Sequence, residues 1–189
     1  MIKVSAILLA AGLAQRMGKD KLLLDYQGKS FIEHSIDLLS SLPVYERIIV
    51  TSKARSAHIS APRDIQIHIN HFPENGMSES IHIGTSTASG THYLFLTADQ
   101  PKLTTADLLP MLDTALLNTG KIIFPLIDSK PNSPTIFPAS FRSELLDLTG
   151  DNGGRIVRDA NIKSSLSVKP ECPENFIDID RKEEYDGLV

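Results

Sequence analysis

The 189-residue chain is 41% hydrophobic and 22% charged, with a net charge of −4 and one cysteine, Cys172. That balance suits one globular domain, residues 1–189, with a substantial core. It excludes the broad basic face that a nucleic-acid polymer requires, while leaving room for a single nucleotide. A lone cysteine excludes an internal disulfide and suits a reducing compartment. No apolar stretch reaches the ~20 residues of a membrane span, and the N-terminus lacks a secretory pattern. A cytoplasmic protein without a membrane partner is therefore expected.

Taken in chain order, the first strand candidate is Val4–Leu9. It ends in Ala10-Ala11-Gly12 and continues through Leu13, Ala14 and Arg16 to Lys21. Small residues let backbone N–H groups approach an anion closely. Arg16 can add a fork of donors and Lys21 a point charge. The spacing is neither the G-x-x-x-x-G-K-[ST] of a P-loop nor the G-x-G-x-x-G of a dinucleotide fold, so it points to another kind of triphosphate site. An ordinary turn with solvated cations is the alternative for this segment alone.

A helix is expected over Ser30–Ser41, where Phe31, Ile32, Ile36, Leu38 and Leu39 fall near helical spacing. Strands are expected at Arg47–Thr51 and Ile65–Ile69. The loop from Asn70 to Ser80 contains Gly76 and opens onto a helix over Ser78–Ala88, with Ser78 as its N-cap. A helix N-terminus offers free N–H donors to a base, ribose or phosphate, and Asn70, Ser78 and Ser80 can add hydrogen bonds. Local capping explains the same residues without a ligand.

The strand Tyr93–Thr97 delivers Asp99 to the exit edge of the sheet, where Pro101 stops it. A carboxylate there, near a phosphate loop, suits Mg²⁺, which takes one or two carboxylates and completes its shell with phosphate oxygens and water. Capping of the next turn is the plain alternative for Asp99. A helix over Thr104–Asn118 carries Thr104 at one end and Gly120 beyond the other. Strands at Ile122–Pro125 and Pro134–Ile136 and a helix over Ser140–Leu148 follow. Gly150-Asp151-Asn152-Gly153-Gly154-Arg155 then reads as a mobile loop with an anion-binding end. Finally, Phe176–Asp180 alternates like a strand, placing Asp178 and Asp180 on one face, where either could share a metal with Asp99. Strands alternating with helices predict an α/β chain with a mostly parallel sheet between helical layers. Ligands of such sheets sit beyond the C-terminal strand ends. That rule gathers the first loop, the Asn70–Ser80 loop and the Asp99 turn.

Together these motifs resemble the MobA-like nucleotidyltransferases, and most closely the molybdenum cofactor cytidylyltransferases. Leu9-Ala10-Ala11-Gly12-Leu13-Ala14-Gln15-Arg16-Met17-Gly18 with Lys21 resembles their L-A-A-G-x-S-x-R-x-G-x-x-K signature. Thr97-Ala98-Asp99-Gln100-Pro101 is similar to their G/A-D-x-P metal motif, and Asn75–Ser80 to their G-M-x-x-S loop. Gly150–Arg155 resembles G-D-x-G-A-R, and Asp178–Tyr185 their closing D-I-D-T-P-E-D-Y. The chain departs from the pattern at Ala14, at Thr97-Ala98-Asp99-Gln100-Pro101, at Asn132-Ser133-Pro134 and at Arg181-Lys182.

The resemblance implies a three-layer α/β/α, Rossmann-like nucleotidyltransferase fold of GT-A type, with a mostly parallel mixed sheet. It implies transfer of CMP from CTP to a phosphate-bearing acceptor, molybdopterin or molybdenum cofactor, with release of pyrophosphate. CTP follows from Ala10-Ala11-Gly12, where GTP-using members carry Gly-Gly. Arg16, Lys21 and Asp99 would be catalytic. Leu9, Ala10, Ala11, Gly12, Leu13, Ala14, Asn70, Gly76, Ser78 and Ser80 would bind the nucleotide. Asp151 and Arg155 would belong to an acceptor loop. Asp99 with Asp178, or with Asp180, would hold Mg²⁺, with Mn²⁺ as the alternative cation. A recipient molybdoenzyme or chaperone would be the protein partner. The rivals are a cytidylyl- or uridylyltransferase for a sugar phosphate or other small phosphate, and a nucleotide-binding module without chemistry.

Overall fold

The computed structural model describes residues 2–12 and 20–188. Its centre is β1 (Val4–Ala10), buried on both faces. Alternation sends Val4, Ala6, Leu8 and Ala10 into one core cluster and Ile7 into the other. Such a strand needs neighbours on both sides and helices above and below, the situation of a parallel sheet.

The neighbours are β4 (Glu46–Ser52) and β6 (His92–Thr97), both parallel to β1. Beyond β4 lies β5 (Ile65–Asn70), also parallel. Beyond β6 the antiparallel β9 (Thr135–Pro138) pairs in turn with β7 (Ile122–Ile127). The strand β10 (Ser165–Val168) runs parallel to β7 at the far edge. The order is β10-β7-β9-β6-β1-β4-β5, with the short β8 (Lys130–Pro131) hooked onto β7. A separate hairpin joins β2 (Asp25–Tyr26) to β3 (Lys29–Ser30).

One face is covered by α1 (Phe31–Ser41), which lies on β1, and by α4 (Thr105–Leu117), which lies on β7 and β10; Ile32, Ile36 and Leu39, and Leu108, Met111 and Ala115, join one core cluster. Each fully buried Leu or Ile of this kind contributes about 1.5–3 kcal/mol. The other face is covered by α3 (Met77–Thr87), α5 (Arg142–Leu146) and α6 (Arg155–Ala160), through Ile81, Leu145 and Val157. Gly84 lets α3 lie close to β1, since a Cβ there would stand 2.5 Å from Ile7 Cγ2. Two further short helices are α2 (Lys53–Ser56), directly after β4, and α7 (Lys182–Asp186) near the C-terminus. Caps set several of these boundaries. Thr104 Oγ1 accepts from Asp107 N while Asp107 Oδ2 accepts from Thr104 N at 2.9 Å, the reciprocal pairing expected before α4. The result is the expected three-layer α/β/α fold with a mostly parallel mixed sheet.

Two local expectations differ. The N-cap of α3 is Gly76, and Ser78 lies inside the first turn. The segment from 177 to 180 is not a strand. Phe176 ends a 3₁₀ turn (Pro173–Phe176), and Phe176 and Ile179 are the buried side chains of this stretch. A spacing of three is not the period of a strand, and the chain crosses the sheet edge without joining the ladder.

Candidate active site

Because β1, β4, β5 and β6 are parallel, Ala10, Ser52, Asn70 and Thr97 all end at one edge. The loops that leave these ends meet there. The turn after β6 carries Asp99, and the 3₁₀ turn Lys21–Leu23 brings Lys21 to it. Lys21 Nζ donates to Asp99 Oδ2 at 2.9 Å and to Asp180 Oδ1 at 2.6 Å. Lys21 and Asp99 are about one-fifth exposed, and Asp180 is half-exposed. Burial opposes the charge on Lys21, but the facing Asp99 and Asp180 carboxylates outweigh it and raise the ammonium above its ordinary pKa.

The C-terminal segment is held at this place by its backbone. Ile179 N donates to Asp99 O at 2.9 Å, and Gln100 Nε2 donates to Phe176 O at 2.9 Å and to Ser133 O at 3.3 Å. Asp178 and Asp180 are thereby brought to Asp99 across the length of the chain. Asp178 is exposed as a whole residue, yet its carboxyl end is desolvated among these groups. That desolvation, with the negative charge of Asp99 and Asp180, raises it to about 7; Lys21 and the Gln100 amide pull the other way.

Asp99 Oδ1 is buried and has no hydrogen-bond partner among the described residues. A buried carboxylate oxygen without a donor fits a cation. Among the described residues no three His, Cys, Asp or Glu side chains form a metal cage. A sparse set of carboxylate oxygens of this kind could hold a divalent cation whose shell other oxygens complete.

At the end of β1, Leu9 and Ala10 close the strand, Ala11 is buried and Gly12 is exposed. Leu13, Ala14 and Arg16 lie outside the described residues. Asn70 and Ser80 are both buried and bond each other, Asn70 Nδ2 donating to Ser80 Oγ at 3.0 Å. Asn70 Oδ1 also accepts from Phe72 N at 2.8 Å. These two side chains therefore shape the loop entering α3. Gly76, at φ +90°, presses against Gly150: a Cβ there would meet the Gly150 carbonyl carbon and oxygen at 2.4 Å. Ser78 N donates to Gly150 O at 3.1 Å. The Gly150–Arg155 loop is thus docked on the start of α3, with Asp151 and Arg155 exposed beside it.

Sequence reasoning missed Asp20 and Arg55. Arg55 is 4% exposed. It donates through Nε to Asp20 Oδ2 at 2.7 Å and through Nη2 to Asp20 Oδ1 at 2.9 Å. Nη2 also donates to Gly12 O at 3.0 Å, and Nη1 donates to Ala10 O. Gln100, read only as part of a motif, is a buried strut. A trough of about 720 Å³ opens on the neighbouring flank between Tyr26, His34, Lys102 and Asn175, apart from the charged cluster.

The comparisons with known proteins agree with this geometry. The MobA-like NTP transferase domain model matches residues 6–165. A Bacillus cereus (strain Q1) protein named "Probable molybdenum cofactor guanylyltransferase" is 23% identical over 98% of this chain and 95% of its own length. The Mycobacterium tuberculosis H37Rv protein Rv0371c, solved in complex with manganese, superposes with a TM-score of 0.78 at 20% identity, covering 99% of this chain and 98% of that one. A nucleotidyl transferase from Methanothermobacter superposes with a TM-score of 0.81 at 22% identity, covering 98% and 95%. With its family model spanning β1 to the start of β10 and its fold shared end to end with these proteins, the chain belongs to the MobA-like NTP transferase family.

Proposed function

We propose that this nucleotidyltransferase moves CMP from CTP onto a phosphate-bearing acceptor of molybdopterin type and releases pyrophosphate. The observation that carries the reading is Lys21 held between Asp99 and Asp180, at the strand edge where the first loop ends. A phosphate-directed cation and a metal-directed carboxylate then face one polyphosphate from two sides.

In the transfer, an acceptor phosphate oxygen attacks the α-phosphorus. One P–O bond forms, the α–β bridge breaks, and the electron pair leaves with pyrophosphate. The acceptor is already anionic, so no strong base is required, and catalysis rests on positioning and charge neutralisation. Lys21 would hold the α-phosphate oxygens. Arg16 would balance charge on the β- and γ-phosphates, and the N–H groups from Ala11 to Ala14 would cradle them. Asp99 and Asp178 would hold Mg²⁺, which when bound supplies charge neutralisation across the phosphates; Mn²⁺ suits the same oxygen donors. Asp180 would keep Lys21 aligned. Gly76 and Ser78 would shape the base and ribose side, with Asn70 and Ser80 behind them. Asp151 and Arg155 would face the acceptor.

Cytosine as the base rests on Ala10-Ala11-Gly12. Guanine is the second reading, favoured by the relative named as a guanylyltransferase. The test is pyrophosphate release with each of CTP, GTP, UTP and ATP, with a molybdopterin acceptor and Mg²⁺ or Mn²⁺. CTP should give the fastest release, and Asp99→Ala should abolish it. Faster release with GTP moves the assignment to guanine. No release with any of the four, or near-normal turnover in Asp99→Ala, removes the transfer mechanism.

A further inference from the structure

We propose that Arg55 is the positioning residue that ties Ala10 and Gly12 to Asp20 and so sets Lys21, with Asp20 as its partner. This rests on the nucleotidyl-transfer reading of the same site. Gly12 follows β1, and Asp20 precedes the 3₁₀ turn that carries Lys21. Gly12 and Asp20, the outgoing and returning stems, are joined by one guanidinium. The single Nη2 of Arg55 bonds both Gly12 O on the outgoing stem and Asp20 Oδ1 on the returning stem.

The rest of the fork is used as fully. Nη1 bonds Ala10 O, the last carbonyl of β1, which also accepts from Thr51 Oγ1 at 3.2 Å. Nε completes a bidentate pair with Asp20. Asp20 in turn caps the 3₁₀ turn that carries Lys21, accepting from Leu22 N at 3.1 Å. One connected path therefore runs from β4 through α2, where Ser52 Oγ accepts from Arg55 N at 3.3 Å, to Asp20, Lys21 and Asp99.

A buried cation is costly unless it is paired and hydrogen-bonded. Arg55 meets that condition only while the loop stems are together. Its planar fork of donors is what lets one side chain satisfy two carbonyls and a carboxylate; a lysine offers a point charge and no such plane. Arg55 touches no reacting atom in this arrangement, so its effect on transfer passes through the loop backbone and through Lys21.

The test uses Asp20→Asn, which keeps size and shape, and Arg55→Lys, which keeps charge. Four quantities are read on the full chain: melting temperature, KM and kcat with CTP and acceptor, and the rate of tryptic cleavage after Arg16 and Lys19. A change of about 1 Å at the reacting groups can cost on the order of a hundredfold in rate. Both variants should stay folded at assay temperature, lose kcat by a factor of that order and raise KM for the nucleotide. Arg55→Lys should retain more activity than Arg55→Met, and cleavage should accelerate in all three. A lower melting temperature with unchanged kcat, KM and cleavage rate would mean a purely structural ion pair and overturn the proposal. Cleavage is measured without nucleotide, so a native chain that turns over no NTP would end the transfer reading while the closure of the loop was still decided.

Discussion

Lys21 and Asp99, 78 residues apart in sequence, form an ion pair at 2.9 Å whose ammonium is shared with Asp180. Three segments that leave different parts of the fold therefore converge on one nitrogen. On the proposed reading, Lys21 both meets the transferred phosphate and competes with the divalent cation for Asp99.

Lys21→Met should separate these two effects. Turnover should fall by about 3 kcal/mol of barrier, roughly a hundredfold, as for other lost transition-state donors. Mn²⁺ binding to the nucleotide-free protein, followed by electron paramagnetic resonance or calorimetry, should tighten, because the competing ammonium is gone. Unchanged turnover would remove Lys21 from the transfer step.

The two C-terminal carboxylates should differ. Asp180 is paired to Lys21, whereas Asp178 is pressed against Asp99 and desolvated. Asp178→Asn should raise the Mg²⁺ concentration for half-maximal activity by roughly tenfold or more, the scale seen for groups that support a metal site. Asp180→Asn should lower kcat with little change in that concentration. A Mg²⁺ titration of both variants measures this, and the reverse pattern would exchange their roles.

Gly76→Ala should destabilise the docked loops. Gly76 has φ +90° and ψ −172°, a conformation open essentially to glycine alone. The new Cβ would also collide with the backbone of Gly150. The strain should cost on the order of 1–3 kcal/mol. It should appear as a lower melting temperature and weaker nucleotide affinity, since the start of α3 and the Gly150 loop must separate.

Acid stability should depend on Glu46, far from the site. Its carboxylate accepts from Ser5 Oγ, from Ser89 N at 2.6 Å, from Ser89 Oγ at 3.0 Å and from Gly90 N at 3.0 Å. Burial opposes ionisation, but these donors prevail and hold the folded pKa below the usual value. A depressed folded pKa gives stability that is full above the unfolded value, about 4.3, and is lost as pH falls through the folded one. Melting curves of Glu46→Gln should be flatter than those of the native chain on this acid limb. Nucleotide turnover at neutral pH should be preserved by that variant.

Much of the architecture was legible in the chain. The strands β1, β4, β6, β7 and β9 announce themselves as short apolar runs because most of their residues are buried, and Thr104 with Asp107 marks the start of α4 because a capping box is a local device. The meeting of Lys21 and Asp99 also followed from local signals, since parallel strands carry their exits to one edge. The Phe176–Asp180 segment misled because its alternation is coincidental. Phe176 and Ile179 are buried by packing over the sheet edge, and the Ile179 N–H is satisfied by Asp99 O instead of a strand partner. Asn70 and Ser80 read either as ligand-facing or as local caps, and only the approach of β5 to α3 pairs them with each other.

The sequence by itself determined the layered α/β class, the order of the elements and the residue types of a polyphosphate site, because periodicity, caps and small-residue turns are short-range properties of the chain. The tertiary structure alone decided the other meetings of charge: Arg55 with Asp20 and the β1 carbonyls, Asp180 with Lys21, and Asp178 beside Asp99 with no ion pair among the described residues. Arg55 follows a surface-like Thr-Ser-Lys-Ala stretch, and nothing local distinguishes it from a solvated arginine. Its burial and its partners exist only once β4 lies beside β1, since pairings between distant segments depend on distances that folding creates.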